Sequence, residues 1–350
     1  FTEALADVAD NSGLFQLEGV GRYYVQTENA HAKIFYENPT DGAVSLRISE
    51  TVKSHDGERL GVEYSKAFSA TEPKPAVEIP VSGTVLPNSK ELILPFKAVN
   101  LSAVDISVIH IYEANVLTFL QDNTLSGDNS LRRCGRLAYK SCVRLDSDPS
   151  KNLHKWQDYS IDLSGLFKQE PGAIYRIRLS FKQEYSLYGK AESFKSGSPS
   201  NKMVSLSSDR ITEKDDEEWD KPYPDYYENF YDWNRFSWED RDNPQKPTYY
   251  MSDGRFPAIN LLTSNLGVIA KYSGGDRIWV SVSDILSTDP VFNAELYVYS
   301  YQLKEIGYAK TGTDGMAEVT LTGKPFVVVA KRGGSTSYLK VTEGEQKSLS

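Results

Sequence analysis

Apolar and polar residues alternate along several stretches of this chain. Between Tyr175 and Lys182, apolar side chains occupy every second position and Arg, Ser and Lys occupy the positions between them. A period of two places the two sets on opposite faces of a half-buried β-strand. Similar alternating runs are Val44–Ile48, Val104–Tyr112 and Ile278–Ser283, whereas Leu92–Phe96 and Pro325–Lys331 are mainly apolar runs. Because turn residues separate these runs, the pattern predicts an all-β fold of tandem antiparallel β-sandwiches.

Breaks in this pattern divide the chain into units. The long stretch between the second and third units has no clear period, which is uncommon inside a compact domain. The predicted organisation is an N-terminal extension at 1–12, β units at 13–76, 77–188 and 255–342, an inter-domain insert at 189–254, and the start of a further segment at 343–350.

The predicted insert combines an acidic run with many aromatic residues. The run Glu213–Glu218 lacks the glycine of an EF-type calcium loop, so we interpret it as a mobile, solvated charge run. The rings are too apolar to be left in water, and Trp and Tyr suit interfaces, so we expect them to pack the second unit against the third. The candidate interface residues are Trp219, Tyr227, Tyr231, Trp233 and Trp238. The alternative for this aromatic block is a sugar-binding platform.

Composition excludes some partners. The formal net charge is -9 and no cluster of Lys and Arg forms a stripe, so nucleic-acid binding through phosphate neutralisation is not expected. No apolar run is long enough to span a bilayer, so the chain is not expected to insert into a membrane.

The two cysteines, Cys134 and Cys142, leave two alternatives open. A turn within Arg136–Lys140 would bring the sulfurs together as a disulfide across a hairpin. One continuous strand through Leu137, Tyr139, Ser141 and Val143 would instead hold them far apart. The pair supplies too few ligands for zinc.

No arrangement typical of catalysis is present in the sequence. The four histidines, His31, His55, His110 and His154, lie far from one another along the chain and are expected to pack or to face solvent. No nucleophile elbow or phosphate-binding Gly-rich loop occurs. We therefore predict no catalytic residue, no metal, no cofactor and no enzymatic activity.

Three parts of the chain carry a family resemblance. They are Gly83–Leu117, which contains Leu92-Ile93-Leu94-Pro95-Phe96; Pro171–Tyr188; and the combination of Arg241-Asp242-Asn243-Pro244, Ser264-Asn265-Leu266-Gly267 and Asp284–Thr288. In order and spacing they resemble the N-terminal region of bacterial alpha-2-macroglobulins. The resemblance implies macroglobulin-like domains, each a seven-stranded antiparallel sandwich.

The same resemblance implies a function. In that family a protease cuts a bait region and is trapped when the molecule rearranges, in some members through a thioester. Glu343-Gly344-Glu345-Gln346 differs from the thioester motif at its first position, where Glu343 offers no sulfur, so we treat the match as chance. The chain is therefore expected to be a monomeric scaffold segment of a protease inhibitor, whose protease partners act through the full-length protein.

The implied location is the bacterial cell envelope, periplasmic or at the outer surface, with a lipid anchor. A different class of function is the alternative: a glycan-binding or adhesive cell-surface protein that uses residues 219–250.

Overall fold

β-Strands dominate the structure, which is a computed structural model. It describes residues 1–7, 9, 11, 13–36, 43–69, 72–81, 83, 85–86, 92–148, 150–166, 170–189, 206–207, 211–221 and 236–341. Within these residues the helices are few and short, and the strands pair almost throughout in antiparallel fashion. The predicted all-β antiparallel class is confirmed. The chain forms two compact units, Phe1–Pro73 and Lys74–Ser350.

The first unit contains two small sheets. Its strands are β1 (Phe15–Glu18), β2 (Tyr23–Glu28), β3 (His31–Tyr36), β4 (Ala43–Ile48) and β5 (Tyr64–Ser69). One sheet has the order β1-β4-β5, and β2 and β3 form a hairpin. Leu5 packs with Phe15, Ile48 and Val52 in the core of this unit, so the predicted N-terminal extension contributes to it.

The second unit begins with a sandwich of two sheets, which we call the first sandwich. Its elements are β6 (Ala76–Glu78), β7 (Val85–Leu86), β8 (Ile93–Val99), β9 (Ala103–Ile111), α1 (Val116–Asp122), α2 (Leu131–Cys134), β10 (Gly135–Arg144), β11 (Gln157–Asp162), β12 (Ile174–Ser180), β13 (Leu206–Ser207), α3 (Glu213–Asp220) and β14 (Ala258–Thr263). One sheet has the order β13-β10-β9-β12-β14-β7 and the other β11-β8-β6. Only the short β7–β14 pair among the described strands is parallel.

The alternation between Tyr175 and Lys182 has the predicted result. Tyr175, Ile177, Leu179 and Phe181 are all buried in the core between the two sheets of the first sandwich. The residues between them face the opposite side of β12. Each buried aliphatic or aromatic side chain of this kind contributes about 1.5–3 kcal/mol of transfer free energy, so the apolar face of the strand determines which side turns inward.

The second sandwich follows after two connecting residues. Its strands are β15 (Leu266–Lys271), β16 (Arg277–Asp284), β17 (Glu295–Tyr299), β18 (Glu305–Lys310), β19 (Met316–Thr320), β20 (Val327–Arg332) and β21 (Ser335–Lys340). They form the sheets β15-β16-β19 and β18-β17-β20-β21. All residues from 264 to 341 are described, so the sandwich has seven strands, as the resemblance implied.

Glycine pairs determine two of its hairpins. Gly333 and Gly334 form the two-residue turn between β20 and β21, with φ of 57° and 81°. Positive φ at both central positions is the geometry of a type I′ turn, which matches the twist of the paired strands. The pair Gly274-Gly275 similarly lies between β15 and β16.

The unit boundaries derived from the sequence stay predictions. One strand of the predicted third unit, Ala258–Thr263, pairs with β12 and so belongs to a sheet of the first sandwich. Within the described part of the chain, no helix has the length and apolar character needed to cross a membrane.

Candidate functional site: the joint between the two sandwiches

An apolar cluster connects the two sandwiches, and we call it the joint. Its buried members are Ile111, Val116, Phe119, Leu120, Cys134, Ile174 and Leu262 from the first sandwich, and Phe326, Val327, Val329 and Tyr338 from the second. Helix α1 supplies the centre of the cluster, because Val116, Phe119 and Leu120 lie on one face at i, i+3 and i+4 and are fully buried. The joint is therefore built like a protein core rather than a domain contact that opens easily.

The covalent connection between the sandwiches is short, and its first residue is buried. Ser264 and Asn265 are the only residues between β14 and β15, and Ser264 has no exposed surface. The Ser337 hydroxyl lies 2.9 Å from the Ser264 hydroxyl oxygen and donates to the Leu266 carbonyl at 2.6 Å. Because this segment is short and hydrogen-bonded, the sandwiches cannot rotate about it without breaking buried hydrogen bonds.

Polar contacts surround the apolar cluster. The Tyr338 hydroxyl donates to the Gly172 carbonyl at 2.9 Å, and the Gln121 amide donates to the Tyr301 carbonyl at 2.6 Å. Burial raises the pKa of Tyr338, so its phenol stays protonated and remains a donor. An ion pair joins Lys331 Nζ to Glu113 Oε1 at 2.8 Å.

The end of α1 receives a cation from the second sandwich. The Lys340 ammonium donates to the carbonyls of Leu120 and Asn123, at 2.9 and 3.0 Å. The last carbonyls of a helix have no partner within it and carry the negative end of its dipole. Lys340 satisfies one such carbonyl and thereby ties β21 to α1.

Replacement of Lys340 by methionine tests this contact. Loss of two charge-assisted hydrogen bonds is expected to lower the free energy of unfolding by about 1.5–3 kcal/mol, measured by urea denaturation. Lys310→Met is the control: Lys310, on β18, forms an exposed ion pair with Glu295 of β17, and its replacement should cost less than about 1 kcal/mol. Equal losses in the two variants would show that the ammonium does not stabilise the joint.

The side chains of the joint have a structural role. Burial raises the pKa of the Cys134 thiol, so it is protonated and a poor nucleophile. Among the described residues, no group of three or more His, Cys, Asp or Glu side chains is placed to hold a metal ion. The arrangement fixes the orientation of two domains.

A histidine lies beside the loop that reaches the joint. His110 stacks on Tyr175 with ring centroids 4.7 Å apart, which agrees with a packing role. Its Nε2 lies 3.0 Å from Glu170 Oε2 but makes no hydrogen bond of good geometry. Burial lowers the pKa of His110 and the Glu170 carboxylate partly opposes this effect, so the ring is neutral at pH 7.

The cysteines follow the second of the two alternatives. Both are thiols rather than a disulfide. Strand β10 runs without reversal from Gly135 to Arg144 and pairs with β9 along its length, with one bulge. An extended chain rises about 3.3 Å per residue, which keeps Cys134 and Cys142 far apart.

The two predicted interface aromatics that the structure describes, Trp219 and Trp238, do not belong to the joint. Trp238 is 64% exposed and meets Phe236 edge-on at 5.1 Å, so the expectation that it packs between domains is wrong. Trp219 lies on α3, where the Arg132 guanidinium stands 5.7 Å from its ring centroid. Tyr227, Tyr231 and Trp233 lie outside the described residues. The joint instead uses α1, and the signal that could have found it is the apolar spacing of Val116, Phe119 and Leu120.

The acidic run is ordered, contrary to the sequence-based expectation. It forms α3, which begins after a capping box in which Thr212 and Asp215 exchange hydrogen bonds. Burial raises the pKa of Asp215, but hydrogen bonds from Thr212 and Lys140 outweigh it and lower that pKa to about 2. The carboxylate is therefore ionised at neutral pH. The carboxylates of α3 repel one another, and cations that lie about 80 residues earlier in the chain compensate for this repulsion.

One protein-family model matches the second sandwich. Residues 263–350 match the family model bMG3, the bacterial alpha-2-macroglobulin MG3 domain. The match begins at the last residue of β14 and takes in all seven strands of the second sandwich. For this part of the chain, the resemblance to bacterial alpha-2-macroglobulins is confirmed. No curated protein matches the chain.

Several solved structures are similar to this chain at low identity. Native alpha-2-macroglobulin from Escherichia coli, spanning domains MG0-NIE-MG1, is 13% identical with a TM-score of 0.47, and the alignment covers 97% of this chain and 90% of that one. Salmonella alpha-2-macroglobulin reacted with methylamine is 13% identical with a TM-score of 0.43, and the alignment covers 97% of this chain but 17% of the longer one. At such values the structural likenesses carry no argument of their own.

Proposed function

We propose that this chain is a scaffold segment of a bacterial alpha-2-macroglobulin-like protease inhibitor. The observation that carries the proposal is the match of residues 263–350 to the bacterial alpha-2-macroglobulin MG3 domain. The proteases would be partners of the full-length inhibitor, in the bacterial cell envelope, and the chain would act as a monomer without a cofactor. Bait cleavage and covalent capture belong to other parts of such a molecule.

The joint supports a scaffold role. A protease trap must transmit the rearrangement that follows bait cleavage through domains that keep their own shape. A flexible linker between two sandwiches would absorb such motion, because modest domain interfaces permit relative movement by default. Here a two-residue connection that is buried at Ser264 and a core-like apolar cluster make the sandwiches one rigid element. The proposed role is to hold neighbouring parts of the inhibitor at a fixed distance and angle.

The sequence gives no group for covalent capture at the thioester look-alike. A thioester joins a cysteine sulfur to a glutamine carbonyl, and Glu343 stands where that cysteine would be. Cys134 is buried in the joint, and burial keeps its thiol protonated. Cys134 is therefore assigned no part in trapping.

A methylamine and trypsin experiment tests this assignment. The isolated chain is expected to incorporate no methylamine, to form no denaturant-stable adduct with trypsin, and to leave cleavage of a large protein substrate by trypsin unchanged. A thioester-containing alpha-2-macroglobulin serves as the positive control for all three readouts. A methylamine-labelled peptide from this chain, or protection of the large substrate, would show that the segment traps proteases itself and would contradict the scaffold role.

A further inference from the structure

Helix α3 lies against a row of three cations, Arg132, Arg136 and Lys140, which we call the basic ladder. Arg132 belongs to α2, and the other two belong to β10. The ion pairs are Arg132–Glu218 at 3.1 Å, Arg136–Asp216 at 3.1 Å, Arg136–Asp220 at 3.2 Å and Lys140–Asp215 at 3.0 Å. Every cation of the ladder thus meets a carboxylate of one short helix.

Among the described residues, charge dominates the contacts that hold α3 in place. The helix has six acidic side chains and one lysine, and none of its eight residues, all of them described, is buried. Its ring, Trp219, contacts the ladder through the Arg132 guanidinium. Arg132 also donates to the Glu218 backbone carbonyl at 2.7 Å. An amphipathic helix that docks through an apolar face looks different, because that face becomes buried.

Such a helix has little stability of its own. Isolated helices shorter than about 12–15 residues are marginal in water, and like charges at neighbouring positions destabilise them further. The capping box at Thr212 favours the first turn. Glu218 and Asp220 lie at the other end, where the helix dipole disfavours negative charge. The ladder neutralises both of these carboxylates.

We propose that the basic ladder is a binding site for an acidic helix, that α3 occupies it in this chain, and that α3 is folded only while it is bound there. The partner that fits the ladder is thus a helical segment with carboxylates on one face. Binding and folding of α3 are one event, and release exposes Arg132 on α2 and Arg136 and Lys140 on β10. Release also converts residues 213–220 into an extended chain.

Ionic strength provides the first test. Screening acts over about 10 Å at 0.1 M salt and about 3 Å at 1 M, so exposed ion pairs weaken over this range. Amide hydrogen exchange at residues 213–220 is expected to accelerate towards the unprotected rate as NaCl rises from about 0.05 to 1 M. Exchange in β16 and β20 should stay constant, because apolar burial holds those strands.

Neutralisation of the ladder provides the second test. Arg136→Gln with Lys140→Gln removes three ion pairs, each of which changes an equilibrium by a factor of about 1.4 to 5. Exchange at residues 213–220 is therefore expected to accelerate at least about threefold at low salt. Arg277→Gln is the matched control: it removes an ion pair with Glu318 on the second sandwich and should leave residues 213–220 unchanged.

A charge swap separates docking from misfolding. Arg136→Asp should release α3, and adding Asp216→Arg and Asp220→Arg should restore protection at residues 213–220. The proposal is overturned if exchange there is insensitive to salt in the unmodified chain, or if the swap fails to restore protection while β16 and β20 exchange normally. The salt titration needs no variant, so it decides the question even if a substituted chain does not fold.

Discussion

Replacement of Phe119 by alanine is expected to lower the free energy of unfolding of the second unit by about 3–5 kcal/mol. Phe119 lies at the centre of α1 and has no exposed surface. It packs in the joint with residues from both sandwiches, including Ile111 and Val329. Truncation removes the transfer free energy of the ring and leaves a cavity that the strands on either side cannot close, because both belong to hydrogen-bonded sheets.

The loss should also divide unfolding into two steps. A single joint makes the two sandwiches cooperative, so the unmodified unit is expected to give one transition in urea that is the same by tryptophan fluorescence and far-UV circular dichroism. In Phe119→Ala, the transitions seen by the two probes should separate. Phe292→Ala is the control, since this ring is 56% exposed in the second sandwich and its removal should change stability by about 0.5 kcal/mol or less. A loss below about 1 kcal/mol for Phe119→Ala would show that the joint does not couple the sandwiches.

Local pattern was sufficient to predict most strands. The alternation from Tyr175 to Lys182 predicted both the strand and the face that turns inward, because the burial of one face is a property of the sequence itself. Helix α1, which a 3-10 turn at Glu113–Asn115 precedes, also has a local signal in the apolar spacing of Val116, Phe119 and Leu120. Its position in the joint was not predictable, since the strands that cover it follow about 200 residues later.

Long-range charge explains the error at α3. Read alone, Glu213–Glu218 is a self-repelling run, and the sequence-based interpretation left it in solvent. The structure supplies Arg136 and Lys140 from β10, about 75–84 residues earlier. The local sequence pattern does not indicate which distant cations will form ion pairs with this acidic run. Charge compensation of this kind depends on the tertiary structure and cannot be predicted from the local sequence.

The aromatic block shows a different limit. Abundant Trp and Tyr correctly indicate a tendency to pack, but the tendency does not identify the surface. Trp238 is largely exposed while the fully aliphatic Ile111 and Ile174 have no exposed surface. In this chain the joint is formed by residues whose β or helical pattern is ordinary. The type of residue therefore located the interface less well than its position did. Ile111 and Ile174, which lie in the interface, are apolar residues at the ends of strands.

The second large effect is expected from Gly172→Ala. Gly172 has φ of +83°, which costs a residue with a Cβ about 1–2 kcal/mol. A Cβ here would lie 2.9 Å from Glu113 Cγ, 3.0 Å from Thr336 Cβ and 3.0 Å from the Tyr338 hydroxyl oxygen. That hydroxyl also donates to the Gly172 carbonyl. To accommodate the Cβ, either the loop or β21 must therefore shift. Adding about 1–3 kcal/mol for overpacking, we expect a total loss of about 2–5 kcal/mol.

Gly274→Ala isolates the part of this loss that belongs to the joint. Gly274 has φ of +88°, almost the same backbone conformation, but a Cβ there would meet nothing within 4 Å. The conformational penalty and the entropy lost by the unfolded chain are therefore alike in the two variants, and they cancel when the losses are compared by urea denaturation. The difference, about 1–3 kcal/mol, measures the close contact between the loop at Gly172 and β21. If both substitutions lower the free energy of unfolding equally, Gly172 is needed only for its backbone conformation. The close contact between its loop and the second sandwich would then contribute nothing to the loss.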